Sequence, residues 1–470
     1  MATVEERLAL LLRDGSWTAL AAAFFYATLV AAGPWLVAVF SLLALPFLLG
    51  FDWRAGDPEL LTFLVSFSWS FALALLFGGG GAFAHARLTE DLLYLDRPER
   101  LLPNLHLLWI RLLLFAQPLW LLYLGLLSDL PPSFLLALLV SLGLQIGIVL
   151  FSGFLATVQR LGTLLALDSF AFPLLPLLAW WWGARGAWEL LWLWILVQGL
   201  LLASLMVVSW RAYPFERLFG DDWRRPAYRD LFWIGSGINL ALWLDKWLFW
   251  FGPGSGVLHG ALRYNFLYDW PAFLAFLSLI PLFGLLFLFQ KGIFLPPFHR
   301  YFRSTQGANR LERLHQLGER LAETVGQLFR RFLLAQLLTL LGVGVVARSL
   351  LERFGFPAAL TGILGNLLPG MGLLALLLWL ILLQIHFDDR SGAKRTILLF
   401  LVSQAAATLH TIAFLPPLFY GVNVALGTLP PLLLAVSRLN RLLRDLNYTV
   451  FMEKNCPYAA DRYDVIDGAN

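Results

Sequence analysis

The side chains best suited to binding a polar ligand lie between Asn239 and Trp250, within an otherwise apolar stretch. Asp245 and Lys246 stand there side by side. An ionisable residue at the centre of a membrane helix costs about 2.5–3.5 kcal/mol on insertion scales, so the pair predicts a wet or protein-buried helix face. The helical spacing i, i+4, i+7, i+11 places four residues on one stripe: Asn239, Trp243, Lys246 and Trp250. A stripe of amide, indole and ammonium groups is typical of a cavity that binds a sugar.

A second interpretation of Asp245 and Lys246 stays open, namely a structural charge pair that holds helices together. Consecutive residues of a helix point about 100° apart, so we expect these two side chains not to pair face to face. Asp245 then needs another cation, and Arg111 in the third apolar run is the candidate.

Polar side chains outside the stripe extend the predicted substrate path. Tyr264 and Tyr268 predict an exit vestibule, and the alternative is an interfacial aromatic belt, which Tyr and Trp form routinely. Ser66 and Ser70 give the second apolar run a hydroxyl face, which helix–helix hydrogen bonding explains equally well. The candidate path residues are Ser66, Ser70, Arg111, Asn239, Trp243, Asp245, Lys246, Trp247, Trp250, Tyr264 and Tyr268.

The composition indicates whether water or lipid surrounds the chain. The chain of 470 residues is 59% apolar and only 14% charged. A soluble domain carries about 25% charged residues, so a soluble protein is excluded and lipid surrounds most of the chain. The net charge of +4 includes no separate basic run, which argues against nucleic acid as a partner. A single cysteine, Cys456, excludes an intramolecular disulfide and argues against a thiolate metal site.

Twelve runs reach about the 20 apolar residues that a membrane-spanning helix needs. They lie at 17–45, 60–84, 105–128, 132–158, 164–184, 188–210, 231–252, 269–290, 331–351, 357–385, 396–415 and 418–437. The last two form one run of 42 residues, which we interpret as a helical hairpin broken at Pro416-Pro417. We interpret the first run as a retained helix, because it is longer than the apolar region of a cleaved signal.

Lysine and arginine predict the orientation. With the N-terminus in the cytoplasm, 27 of the 34 cationic residues fall in cytoplasmic segments and five in outer segments, as the positive-inside rule expects. Both termini are therefore predicted to be cytoplasmic. The predicted domains are an N-terminus (1–16), a first half with six spans (17–210), a cytoplasmic linker (211–230), a second half with six spans (231–437) and a cytoplasmic tail (438–470). Secondary transporters are often built from two such halves, with the substrate bound between them.

The longest predicted cytoplasmic segment, 291–331, has an amphipathic pattern. Its apolar residues follow a three/four spacing: Leu311, Leu314, Leu321, Val325 and Leu328. The pattern predicts a helix that packs on this protein's own cytoplasmic face, and docking to a partner is the alternative.

Sequence signatures of catalysis are absent. The chain contains no G-x-x-x-x-G-K-[ST] and no H-E-x-x-H, and its predicted cytoplasmic loops contain no D-x-D. The four-glycine run Gly78–Gly81 follows no strand and predicts a close approach of helices or a bend. We expect a transporter rather than an enzyme, with no catalytic residues, cofactor or metal.

Three segments resemble the PelG family, the inner-membrane component of the bacterial Pel exopolysaccharide system. They are Ala32-Gly33-Pro34-Trp35, the stretch from Gly237 to Phe251 with Leu244-Asp245-Lys246-Trp247, and Tyr268-Asp269-Trp270-Pro271-Ala272-Phe273-Leu274-Ala275. The family is grouped with the multidrug/oligosaccharidyl-lipid/polysaccharide flippases, so the resemblance implies two six-helix, MATE-like lobes around a central cavity. It also implies export of a hexosamine-containing polymer for the biofilm matrix, beside a cytoplasmic glycosyltransferase and a cyclic-di-GMP receptor. It supplies no transport residues that could be transferred to this sequence.

The predicted function is translocation of an exopolysaccharide across the bacterial inner membrane. Only Arg111 and Lys246 lie as cations within predicted spans, whereas three tryptophans occupy the stretch 243–250. Because a charged ligand would call for an arginine or lysine cluster, this balance favours a neutral sugar polymer. Two alternatives stay open: a membrane scaffold for a synthase complex, and a cation-coupled antiporter or flippase for a lipid-linked oligosaccharide.

Overall fold

The structure, a computed structural model, describes residues 4–14, 16–51, 57–305, 310–353 and 357–453. Arg54, Cys456 and the part of the predicted tail from 454 to 470 lie outside the described residues. The described chain is almost entirely helical, with one two-stranded antiparallel hairpin. The predicted all-α class is confirmed.

Eight helices form the first half of the chain. They are α1 (Val4–Asp14), α2 (Trp17–Leu49), α3 (Pro58–Tyr94), α4 (Leu101–Leu127), α5 (Pro132–Thr157), α6 (Leu161–Ala171), α7 (Leu174–Trp182) and α8 (Ala187–Ala212), with a 3-10 turn at Pro98–Arg100. Asp57 caps α3, because its carboxylate accepts the backbone N–H groups of Glu59 and Leu60. α2 continues through Pro34 and Pro46.

The second half contains the hairpin and nine helices. They are α9 (Pro226–Trp250), β1 (Gly256–Leu258), β2 (Leu262–Tyr264), α10 (Phe266–Leu277), α11 (Leu279–Leu288), α12 (Leu295–Thr305), α13 (Leu311–Arg353), α14 (Ala358–His386), α15 (Arg390–Phe414), α16 (Val422–Arg444) and the short α17 (Leu446–Tyr448). Two π-helical segments, Phe289–Phe294 and Thr449–Glu453, and a 3-10 turn at Pro417–Phe419 connect or extend them. The break between α15 and α16 falls at Pro416-Pro417, as predicted.

Eleven helical segments of the described chain are long and apolar enough to cross a membrane. They correspond to eleven of the twelve predicted spans, with α6–α7 and α10–α12 each forming one segment. The remaining predicted span corresponds to α9, a helix of 25 residues whose sequence is more polar. The chain is therefore a multi-pass membrane protein.

The predicted loop 291–331 is helical at both ends in the structure. α12 extends to Thr305, and α13 runs without interruption from Leu311 for 43 residues. At 1.5 Å per residue α13 is about 65 Å long, roughly twice the thickness of a bilayer core. Its first half is therefore an extension of a membrane helix. In that half Leu314, Leu321 and Leu328 are buried within the chain, whereas Leu311 is 72% exposed.

The buried apolar side chains form two large clusters, one from each half, which we call the N-lobe and the C-lobe. The lobes meet along two helix pairs, α3 with α9 and α2 with α11. Trp250, Ala261 and Leu262 belong to the second half but pack in the N-lobe cluster. The last turn of α9 and the hairpin therefore connect the two lobes.

Glycines allow the α3–α9 pair to come unusually close. A Cβ atom placed on Gly80 would lie 2.6 Å from the Phe232 carbonyl oxygen, and one on Gly235 would lie 2.9 Å from Gly80 Cα. Backbone atoms cannot move aside as a flexible side chain does, so the two positions tolerate no side chain. The expected close approach at Gly78–Gly81 is confirmed, and we call this contact the glycine seam.

Enlarging Gly80 tests the glycine seam. We expect Gly80→Ala to destabilise the protein by about 1–3 kcal/mol, because the added methyl group forces the two helix backbones apart. The measurement is thermal unfolding of the purified protein in detergent. Gly199→Ala is the matched control, because Gly199 lies in α8 with nothing within 4 Å of its added Cβ. Equal stability of the two variants would contradict the role of the seam.

Ion pairs join the helices at the end of the molecule that carries the linker residues 213–225, which we call the linker end. Asp91 of α3 accepts hydrogen bonds from Arg225 at 3.2 Å and from the Tyr228 hydroxyl at 2.9 Å, which ties α3 to the start of α9. Asp389, before α15, accepts two hydrogen bonds from Arg438 of α16 at 2.6 and 2.9 Å. Both lobes are thus held by charge-assisted bonds at this end.

The Asp389–Arg438 pair predicts a pH dependence. Burial alone would raise the pKa of Asp389, but the hydrogen bonds from Arg438 and from the Gly392 N–H outweigh it and lower the pKa below its ordinary value. A lowered folded-state pKa contributes stability that is full above the ordinary value, about 3.9, and is lost as the pH falls through the lowered value. We expect Arg438→Gln to cost about 1–3 kcal/mol at pH 7.

The unfolding temperature of Arg438→Gln should approach that of the wild type as the pH falls below about 4. Arg441→Gln, at an exposed position one helical turn further on, is the control and should change little at either pH. A deficit in Arg438→Gln that stays constant from pH 7 to pH 3 would refute the assignment.

Candidate functional site

The helix α9 presents different faces to the two lobes. Toward the N-lobe it directs Asn239, whose amide lies where Gly79 of α3 lacks a side chain, and Trp243, which packs in the N-lobe cluster. Toward the C-lobe it directs Leu242, Asp245 and Lys246, which line one small cavity there. The helix predicted to carry the site therefore lies at the lobe boundary.

An aromatic cluster crosses this boundary, with Trp69 of α3 at its centre. The Trp69 ring centroid lies 4.8 Å from that of Trp250 on α9, 5.8 Å from Trp120 and 5.3 Å from Tyr123, both on α4. Trp250 in turn lies 6.2 Å from Trp243. These distances are typical of favourable aromatic pairs, each contributing about 0.5–1.5 kcal/mol beyond its buried area. We call this group the aromatic cluster.

The β-hairpin covers the aromatic cluster at the end of the molecule opposite the linker, the hairpin end. The Trp69 indole N–H donates to the Arg263 carbonyl at 2.9 Å, and the Tyr123 hydroxyl donates to the Ala261 carbonyl at 2.8 Å. The Arg263 guanidinium lies 4.9 Å from the Phe251 ring centroid. Tyr264, in β2, pairs with Gly256 across the hairpin. The hairpin thus holds the two lobes together at this end.

Several buried polar atoms of the N-lobe have no hydrogen-bond partner among the described residues. They are the hydroxyl oxygens of Ser66, Ser70 and Ser128, the amide oxygens of Gln117 and Gln145, and the indole nitrogens of Trp120, Trp194, Trp223 and Trp247. Ser66 and Ser70 flank Trp69 in sequence and are fully buried. Buried polar groups normally have partners, so each exception calls for an explanation. Hydroxyl and indole groups beside flat aromatic rings are the groups that a sugar would engage.

A hydrogen-bonded charge pair lies in the C-lobe. The Lys246 ammonium lies 2.9 and 3.0 Å from the two Asp245 carboxylate oxygens and donates to the Leu242 carbonyl at 2.9 Å. The Tyr268 hydroxyl donates to Asp245 at 2.6 Å, and the Asn423 amide donates to that hydroxyl at 3.3 Å. All four side chains are buried. We call these residues the C-lobe charge pair and its network.

The cavity beside the charge pair is very small. Its volume is about 10 Å³, at the lower limit for one water molecule. The Phe276 ring centroid lies 4.4 Å from the Lys246 ammonium, close enough for a cation–π contact. A sugar does not fit there, so the charge pair has the geometry of a structural element of the C-lobe.

The structure corrects three predictions about these residues. Asp245 and Lys246 do pair, because the lysine stem folds back onto the carbonyl of Leu242 and brings the ammonium to its neighbour's carboxylate. Lys246 therefore leaves the stripe shared by Asn239, Trp243 and Trp250. Arg111 does not reach Asp245: it is about half exposed and pairs with Asp221 of the linker at 3.3 Å.

Tyr268 is also placed differently from the predicted vestibule. Its side chain has no exposed area and binds Asp245 inside the C-lobe. The neighbouring Asp269 accepts the Trp250 indole N–H at 2.9 and 3.0 Å, which fixes the tryptophan in the aromatic cluster. Trp120, Tyr123 and Asp269 were not predicted as site residues, because α4 reaches Trp69 only through tertiary packing. Among the described residues, no group of three or more His, Cys, Asp or Glu side chains could hold a metal ion.

The charge pair makes a prediction for stability. Lys246→Met leaves the Asp245 carboxylate buried without its cation, which we expect to cost about 3–5 kcal/mol. The double variant Asp245→Asn/Lys246→Met removes both charges and keeps an acceptor for Tyr268, so it should recover most of the loss. Thermal unfolding of the purified proteins measures both. A double variant as unstable as Lys246→Met would contradict a charge pair.

Comparisons with known proteins agree with this architecture. A family model described as "PelG: Putative exopolysaccharide Exporter (EPS-E)" matches residues 1–451. No curated protein matches the chain in sequence. Among solved structures, the chain is similar to an outward-facing multidrug resistance MATE family transporter of the MOP superfamily, with 13% identity, a TM-score of 0.61 and coverage of 89% of this chain and 96% of that chain.

Two further structures show the same similarity. A MATE protein in complex with MaD3S is 14% identical, with a TM-score of 0.60 and coverage of 89% of this chain and 97% of that chain. A MOP superfamily transporter from Pyrococcus furiosus is 12% identical, with a TM-score of 0.57 and coverage of 89% and 96%. At these identities the similarity shows a MATE-like fold and no more. Since the family model covers nearly the whole chain, the protein belongs to the PelG family of exopolysaccharide exporters.

Proposed function

We propose that this protein carries an exopolysaccharide across the bacterial inner membrane between its two lobes. The observation that supports this most directly is the aromatic cluster at the lobe boundary, where Trp69 of α3 lies against Trp250 of α9 with ring centroids 4.8 Å apart. Family membership and the transporter fold support transport as the activity rather than catalysis. In this proposal the protein transports the polymer without modifying it chemically.

The proposal includes a topology of twelve crossings with α9 as the seventh. α9 is long enough to span a bilayer, at 25 residues, and its Asp245 and Lys246 charges neutralise each other in the C-lobe. With the linker end in the cytoplasm, the distribution of lysine and arginine follows the positive-inside rule. The hairpin end then faces outward, and both termini are cytoplasmic.

The chemistry of the lobe boundary matches an uncharged sugar polymer. Such a polymer offers apolar ring faces, hydroxyls and amides but no charge, so it requires flat aromatic surfaces and scattered weak hydrogen bonds. Trp243 and Trp250 provide the surfaces. Ser66, Ser70 and Trp120 carry polar atoms without partners in the described structure, and sugar hydroxyls would satisfy them. Weak contacts let the chain move on after each step.

The described conformation is closed at the hairpin end in this proposal. Trp69 and Trp250 are in ring contact, and the hairpin carbonyls bind Trp69 and Tyr123. Export then requires a second conformation in which the Trp69 and Trp250 rings separate. A sugar between the separated rings would stack on them and so replace the contact that the two rings had made with each other. A ligand that binds the open form better shifts the population toward it.

The finer assignments rest on the family alone and complete the proposal. They are a hexosamine-containing polymer of the Pel type, synthesis by a cytoplasmic glycosyltransferase, and control by a cyclic-di-GMP receptor in the same complex. The linker end is the surface on which those partners would act, because it faces the cytoplasm in the proposed topology.

Removing one aromatic face tests the path. We expect Trp243→Ala to lower the amount of surface polymer about two- to tenfold, because one stacking surface contributes on the order of 1 kcal/mol. The measurement is surface polysaccharide on cells with equal amounts of each protein in the membrane. Trp233→Ala is the matched control, since Trp233 lies on the same helix but its side chain is 62% exposed at the protein surface. Normal polymer in both Trp243→Ala and Trp250→Ala cells would contradict the path.

The same variants separate a conduit from a scaffold. In a conduit, Trp243→Ala reduces export while the glycosyltransferase still co-purifies with the protein. In a scaffold, export falls only when co-purification falls with it. Loss of both together in Trp243→Ala would therefore favour the scaffold and contradict this proposal.

A further inference from the structure

A basic cleft lies at the linker end, away from the aromatic cluster and the charge pair. It has a volume of about 470 Å³ and lies between α12 and the first turn of α13. Its lining residues are Pro296, His299, Arg300, Arg303, Ser304 and Arg313. We propose that this cleft binds the phosphate-bearing headgroup of an anionic phospholipid.

The fold of α12 places its basic residues together. Leu295 and Tyr301 are buried on one side of this helix, and the Tyr301 hydroxyl donates to Asn447 at 2.7 Å. Phe298 packs against Phe387 with ring centroids 5.5 Å apart. With the apolar side anchored in the C-lobe, the spacing i, i+3 puts Arg300 and Arg303 on neighbouring positions of the opposite side. Arg313 then approaches from α13.

The charge of these arginines is not neutralised by the described residues. Arg300, Arg303 and Arg313 make no ion pair within 4 Å in the part of the chain that the structure describes. Other cations at the linker end do have carboxylates: Arg438 pairs with Asp389 at 2.6 Å, and Lys394 with Asp230 at 2.9 Å. A cleft lined by three guanidinium groups that the described residues leave without an ion pair has the chemistry of an anion site, because guanidinium binds phosphate oxygens bidentately.

The position of the cleft favours a lipid as the source of that phosphate. α12 is the last part of the candidate membrane segment Phe266–Thr305, so the cleft lies where this segment leaves the bilayer. Leu311, two residues before Arg313, is 72% exposed and offers an apolar contact beside the charges. Basic pockets between membrane helices on the cytoplasmic side are typical binding sites for phospholipid headgroups.

The test compares lipids on the full-length protein in a neutral detergent. Phosphatidylglycerol and phosphatidylcholine are titrated separately, and binding is followed by native mass spectrometry and by the rise in unfolding temperature. The cleft variant is Arg300→Gln/Arg303→Gln/Arg313→Gln. The matched control is Arg320→Gln/Arg330→Gln/Arg331→Gln, which removes the same charge from exposed positions of α13 outside the cleft.

We expect the wild type to bind phosphatidylglycerol at least tenfold more tightly than phosphatidylcholine. The cleft variant should lose this preference, and the control should keep it within about twofold. Replacing the same three arginines by lysine should retain part of it, because lysine keeps the charge but not the bidentate geometry. A cleft variant that is folded and binds phosphatidylglycerol like the wild type would overturn the proposal.

Inorganic phosphate serves as the second probe and separates a lipid from a soluble ligand. If phosphate raises the unfolding temperature through the three arginines while phosphatidylglycerol does no more than phosphatidylcholine, the lipid assignment is overturned. If phosphate at millimolar concentration only weakens phosphatidylglycerol binding, the headgroup assignment is supported.

Discussion

The close approach of α3 and α9 at the glycine seam is the constraint on which the rest of the site depends. With no side chains at Gly80 and Gly235, the two backbones touch at the middle of the helices. This contact fixes the rotation of α9, so that Trp243 and Trp250 turn toward α3 and Asp245 and Lys246 toward the C-lobe. Toward the hairpin end, the same rotation brings Trp250 against Trp69.

The two faces of α9 differ in chemistry, one carrying a buried charge pair and the other an amide and aromatic rings. Asp245 and Lys246 neutralise each other and are satisfied by Tyr268, which makes two ionisable groups tolerable inside a membrane protein. The other face is left with an amide and aromatic rings. Arg111, the second cation predicted within a span, pairs with Asp221 of the linker instead. Neither cation therefore belongs to the proposed path, which leaves an amide and aromatic rings for the uncharged polymer that we propose as the substrate.

The sequence predicted most of the helices and little of the tertiary arrangement. Apolar run length identifies spans because a bilayer demands about 20 apolar residues, and Pro416-Pro417 interrupts a helix for local steric reasons. Helical spacing also predicted one face for Asn239, Trp243 and Trp250. The same spacing gave the wrong face for the Lys246 ammonium. Spacing describes only the direction of the Cβ atom, and the flexible methylene chain of a lysine can carry the ammonium around the helix. Trp120 and Tyr123 belong to another helix, and a sequence pattern within one helix does not predict which residues of a second helix will contact it.

The most direct test of a sugar path at the lobe boundary is site-specific photo-crosslinking to the polymer in exporting cells. A photo-crosslinking phenylalanine derivative replaces Trp243 in one variant and Leu242 in another, and covalently captured polysaccharide is measured. Leu242 is the adjacent residue but lines the C-lobe cavity. We expect capture at position 243 and little or none at position 242. Capture at position 242 without capture at position 243 would contradict it.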